Sequence, residues 1–164
     1  MGADEKVVAD IVDNLRRVFQ VVNEQSKRAE RETGLTGPQL WAIKVIAEAG
    51  SIKVSEIARR MYLHPATVVG ILDRLEARGY VSRTRSKEDR RVVDIELTGQ
   101  GRDLVHQAPE VAQGLLVRGL ETLDGEQLIL MSEALAQLVE ILGAQEIPPQ
   151  LLFSPEVNAE ERPA

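Results

Sequence analysis

The residues best placed to do chemistry lie between Leu63 and Leu97, in LHPATVVGILDRLEARGYVSRTRSKEDRRVVDIEL. Thr84 to Arg91 holds Arg85, Lys87, Arg90 and Arg91 against only Glu88 and Asp89. Such a cluster suits phosphate oxygens, which guanidinium and ammonium groups bind through charge-assisted hydrogen bonds. Catalysis has no comparable foothold. The chain has no cysteine, which excludes disulfides, thiolate metal sites and cysteine redox sensing. His64 and His106 are its only histidines, so a transition-metal site would lack ligands. No nucleophile–base pair, phosphate-binding glycine loop or metal-ligand spacing stands out, and the chain is read as a non-enzyme with no cofactor.

A helix and two strands must position these cations. Pro65 suits a first helical position, where its missing N–H would be unpaired anyway. Val68, Leu72 and Leu75, with Ile71 beside them, make one apolar face. Gly79 fits the C-terminal stop, where a left-handed backbone suits a residue without a side chain. Val81, Val93, Ile95 and Leu97 then mark a strand pair on either side of the basic loop. A helix followed by a basic β-loop is the form of a winged helix-turn-helix, whose helix enters the major groove of DNA while the loop reaches phosphates or the minor groove. The outward face is then Pro65, Ala66, Thr67, Val69, Gly70, Asp73 and Arg74, which is poor in hydrogen-bonding groups. Thr67 and Arg74 are its polar candidates, and Ala66 or Val69 could meet thymine methyls. Gly70 lets the backbone approach the groove, at some cost in helix propensity. His64 either donates to a phosphate at the helix start or caps the helix.

Charge is divided unevenly along the 164 residues. The net charge of −6 argues against a nucleic-acid partner until it is split by region. Ser51 to Leu97 carries ten basic and seven acidic residues, a net of +3 that leaves −9 for the remainder. Because phosphate attraction acts over about a Debye length, a basic lobe on an acidic body is compatible with DNA binding. It is equally compatible with a solvated wing. Apolar content of 43% suffices for a core, and an aromatic content of 3% makes that core aliphatic.

Around this lobe the periodicity predicts long helices. Asp4 to Glu32 is amphipathic through Val7, Val8, Ile11, Leu15, Val18, Phe19 and Val22, polar from Asn23 onward, and ended by Gly34. Its apolar face exceeds what one short partner can cover, so it is expected to pack against a second subunit. Thr36-Gly37-Pro38-Gln39 opens a second helix with a capping box, running to Ala49-Gly50. Ser51 to Lys53 is a stub strand, and Val54 to Met61 a short helix with Arg59 and Arg60 outward. Thr98 to Gly101 caps a helix that Pro109 should kink near Gln107 and Ala108. Asp124 to Gln127 caps a last, broadly apolar helix that stops at Gly143. Residues 144–164 hold four prolines and read as a flexible tail, with Leu151-Leu152-Phe153 able to dock on a subunit surface. No apolar run approaches the ~18 residues of a membrane span. The acidic start MGADEKVVAD lacks a signal peptide's basic residues, and Lys6 stands where a myristoylation motif wants Ser or Thr. The expected location is cytoplasmic.

The order of these elements resembles the MarR (multiple antibiotic resistance regulator) family of bacterial winged-helix repressors. LTGPQLWAIKVI, LHPATVVGILDRLEARGYV and SKEDRRVVDIELTGQGRDL carry the likeness, above all Asp89 and Arg91 at the wing tip followed by an apolar strand and Leu-Thr-x-x-Gly. It covers about Val7 to Gly143. The fold it implies is mainly α with a small β-wing: a winged helix-turn-helix lobe at 36–97, with dimerisation helices at 1–35 and 98–143. It further implies a homodimer on a pseudo-palindromic DNA operator, released by a small aromatic or phenolic effector. By the family pattern Arg91 would enter the minor groove, held by Asp89, while Arg85, Lys87 and Arg90 meet phosphates. Arg16, Arg17, Trp41 and His106 are candidate effector ligands, although a plain core role for Trp41 is preferred. The competing reading is a winged-helix module for protein–protein contact without an operator of its own.

Overall fold

A computed structural model describes residues 2–86, 89 and 92–151. The first helix, α1 (Ala3–Thr33), ends at Gly34, whose left-handed φ of 69° lets its N–H reach Glu30 O. Next comes α2 (Gly37–Ala49), opened by the expected capping box: Thr36 accepts from the Gln39 N–H, and the Gln39 side chain accepts from the Thr36 N–H. Then β1 (Ser51–Lys53), α3 (Val54–Met61) and α4 (Pro65–Ala77) follow. The strands β2 (Val81–Arg85) and β3 (Val93–Leu97) lead into α5 (Gly99–Gln107), α6 (Ala112–Leu120) and α7 (Gly125–Ile141).

The stub strand proves to be a full partner. The sheet order is β1-β3-β2, antiparallel throughout, with Ile52 opposite Ile95 and Arg83 opposite the same Ile95 on the other side. The second strand also runs through Thr84 and Arg85, residues assigned to the loop on sequence. The core lies under this sheet and around α2: Leu40, Ile43 and Ile46 of α2 meet Ile57, Ile71, Leu72, Leu75 and Ile95, all fully buried. Burying each such aliphatic side chain contributes about 1.5–3 kcal/mol, so a core almost without aromatic residues still holds the lobe.

One expectation needs correction. Pro109 does not kink one helix; it separates two. Ala108, which precedes the proline, is extended at ψ 140°, and Val111 is extended again before α6 starts. A residue before proline is pushed out of the helical region by the pyrrolidine ring, which accounts for Ala108, while Val111 is extended as the N-cap of α6. The polar second half of α1 is also the half that docks: Ser26 and Ala29 are buried, whereas Val7, Val8, Val18 and Phe19 are exposed. The last helix buries none of its residues within the chain, so Leu130, Leu135 and Ile141 all stand exposed. Beyond it Leu151 packs against the core, and Leu152 and Phe153, named with it as a docking segment, lie outside the described residues.

Candidate nucleic-acid interface

The helix α4 is two-faced. Val68, Ile71, Leu72 and Leu75 are fully buried, while His64, Pro65, Ala66 and Val69 are exposed and Gly70 and Arg74 half-buried. Thr67 departs from expectation: it is only 7% exposed, because it stands four residues before Ile71 and eight before Leu75 on the same buried row. The outward face is therefore smaller and more apolar than the sequence indicated, with Arg74 its remaining polar candidate alongside Asp73. His64 takes the capping role, since its Nδ1 accepts the Ala66 N–H at 3.2 Å. A neutral imidazole that accepts at Nδ1 carries its proton on Nε2, leaving one donor beside the helix N-terminus.

The strands tie the wing to this helix. Arg83 on β2 donates to Asp73 Oδ1 and lies 3.5 Å from Glu76 Oε2, so its charge is spent on α4. Arg85 at the end of β2 is exposed. The turn beyond it is closed by Ser86 N–H to Val92 O and Val92 N–H to Asp89 O, both at 2.9 Å, and Asp89 is exposed. Lys87, Arg90 and Arg91 lie outside the described residues.

The four effector candidates do not converge. Arg16 pairs with Asp13 and Arg17 with Asn14, both on the exposed surface of α1. His106 lines a hollow of about 230 Å³ between α2 and α5 with Arg102 and Leu97. Trp41 is 8% exposed and packs on Gly114 of α6, consistent with a core role, yet it lines a separate groove of about 280 Å³. Lys44 and Glu48 of α2, Arg59 and Arg60 of α3, Arg118 of α6 and its C-cap residue Glu121 also line that groove. Sequence reading placed Arg59 and Arg60 outward without giving them this neighbour. The signal available was Glu56, three and four residues before them. Its carboxylate accepts from both guanidinium groups, at 2.7 and 2.9 Å, and those hydrogen bonds hold its pKa at about 2 against an ordinary 4.5. Glu110 is likewise lowered, by Arg118 first and by Lys44 at 3.7 Å. Glu121, which lines the groove, accepts a hydrogen bond from the Tyr62 hydroxyl at 3.2 Å, which raises the Tyr62 pKa. Tyr62 is the one described non-glycine residue with a positive φ, 53°, and it forms the turn between α3 and α4. The groove and the start of α4 are thus joined through one hydrogen bond.

Comparison with known proteins agrees with this architecture. A family model described as the MarR family matches residues 35–93. The HTH-type transcriptional repressor MdtR of Bacillus subtilis is 30% identical over 146 residues, covering 89% of this chain and 94% of its own. The crystal structure of the YusO protein from Bacillus subtilis aligns at a TM-score of 0.55 with 32% identity, over 85% of this chain and 99% of that one. Streptococcus pneumoniae FabT, solved in complex with DNA, aligns at 0.53 with 24% identity over 85% of this chain and 97% of its own, a likeness of fold alone.

Proposed function

Because this chain belongs to the MarR family of transcriptional regulators, we propose that it is a dimeric, sequence-specific DNA-binding repressor whose 36–97 lobe reads an operator. The observation that carries the reading is the exposed row His64, Pro65, Ala66 and Val69 at and along a helix whose opposite row is fully buried, in a sequence that continues into a basic loop. Such a face can enter the major groove without desolvating charge, and its methyl groups suit thymine. Arg74 adds a polar contact, and Arg85, Lys87, Arg90 and Arg91, with Asp89 as the partner of Arg91, supply phosphate and minor-groove contacts. Residues 1–35 and 98–143 form the dimerisation region, which the exposed apolar faces of α1 and α7 support.

Release by a small aromatic or phenolic effector is assigned to the groove beside Trp41, where Lys44, Arg59, Arg60 and Arg118 suit an acidic group. Occupancy would be felt by α4 through Glu121 and Tyr62. The test is binding to the DNA upstream of the protein's own coding sequence, with a random duplex as control, at about 50 and 200 mM salt. Sequence-dependent binding that weakens by about a thousandfold between them is expected of six or more phosphate contacts. No binding to either duplex at the lower salt would replace this reading with the protein–protein module.

A further inference from the structure

Arg78 is the C-cap residue of α4, and its side chain reaches from the lobe to the end of α1. Its Nη1 donates to the carbonyl oxygen of Gly34, 44 residues earlier in the chain, at the end of α1. The same guanidinium lies 5.7 Å from the centre of the Tyr80 ring, within the range of a cation–π contact. Gly34 closes α1 with its left-handed φ, and a Cβ there would sit 2.9 Å from Arg78 Nη2, so a larger residue must displace the guanidinium. Tyr80 is fixed in turn, since its backbone carbonyl accepts the Thr98 N–H at 3.0 Å.

We propose that Arg78 is a positioning residue that sets the angle between α4 and α1, and thereby the half-site spacing that a dimer accepts. The inference rests on the DNA-binding reading above. The geometry makes the angle matter. At 1.5 Å per residue the 31 residues of α1 span about 46 Å. A tilt of about 5° at Gly34 moves the far end by about 4 Å, more than the ~3.4 Å rise of one base pair along the DNA axis. The exposed apolar residues that would meet the partner, Val7 to Phe19, lie toward that far end. Arg78 thus joins the helix that reads DNA to the helix that fixes its distance from the second copy.

The experiment selects an operator from a randomised duplex pool with the full chain. It then measures affinity for that operator, for versions with the centre lengthened or shortened by one or two base pairs, and for a single half-site. The wild type is expected to discriminate between spacings by about tenfold or more. Arg78→Ala and Arg78→Lys should flatten that discrimination while leaving single half-site affinity and the salt slope unchanged, because lysine keeps the charge but lacks the planar fork. Gly34→Ala, which crowds the same contact from the α1 side, should flatten it as well and serves if an Arg78 variant fails to fold. Spacing discrimination equal to wild type in these variants would overturn the inference. So would a uniform loss across all duplexes in Arg78→Ala with a salt slope reduced by about one, which would make Arg78 a phosphate contact. A wild type that binds no duplex would instead remove the DNA-binding reading itself.

Discussion

Arg91 bears the heaviest expectation of any single side chain, because α4 offers little besides methyl groups for direct readout. Arg91→Ala is expected to lose about tenfold or more in specific affinity, measured by anisotropy against a random duplex, with the salt slope reduced by about one. Glu56 gives the pH prediction. Its pKa is depressed to about 2 by Arg59 and Arg60, so its contribution is fully present above the ordinary value of 4.5 and is lost as pH falls through about 2. An NMR titration of its carboxyl carbon should therefore show a midpoint near the lower value, and one near 4.5 would deny the clamp. The buried row of α4 was legible from its 3.6-residue spacing, but Thr67 was not, because a hydroxyl reads as polar even where its position on the helix is inward. The resemblance points to Trp41, and the capacity to pair with an anion points to Arg16, Arg17 and His106. Opposite sides of α2, the exposed face of α1 and a groove between α1 and α6 that Arg17 lines keep them apart, a separation no one-dimensional pattern displays.

Capping signals fixed the helix starts well. Thr36, His64, Thr98 and Asp124 each accept a backbone N–H from the first turn that follows. The ends of elements were harder to read where the cause lay in tertiary approach. Gly101 in the first turn of α5 is such a place: a Cβ there would fall 2.1 Å from the Tyr80 carbonyl oxygen. Gly101→Ala must therefore push α5 away from the β2 entry, and a destabilisation of about 1–3 kcal/mol is expected for an overpacked backbone contact. A thermal melt equal to wild type would show that α5 shifts without cost. The docking half of α1 escaped notice for a related reason. Ser26 and Ala29 are small enough to let helices approach closely, and small side chains add little to a hydropathy stripe. At Pro109 the sequence located the interruption correctly but not its extent, since the extended Ala108 and Val111 on either side turn a bend into a break.

Val7, Phe19, Leu130 and Leu135 are exposed in the single chain, which is a larger apolar surface than a monomer comfortably shows to water. Native mass spectrometry should give twice the 18.1 kDa of one chain. Leu135→Glu, placing a charge on α7, should shift the population toward monomer at micromolar concentration and reduce operator affinity with it; a variant that stays dimeric would move the interface away from α7. The net charge of −6 fits the same picture, since an acidic body limits DNA contact to the basic lobe. The sequence made the lobe and its helical flanks recognisable, but the relation between two copies is invisible in one chain's periodicity. The central claim is that a symmetric pair of α4 helices meets one operator. Hydroxyl-radical footprinting of the selected operator tests it most directly. Two protected half-sites, related by a dyad and centred about 10 base pairs or a multiple of that apart, are the predicted result. A single protected patch without symmetry, or protection that ignores sequence, would contradict it.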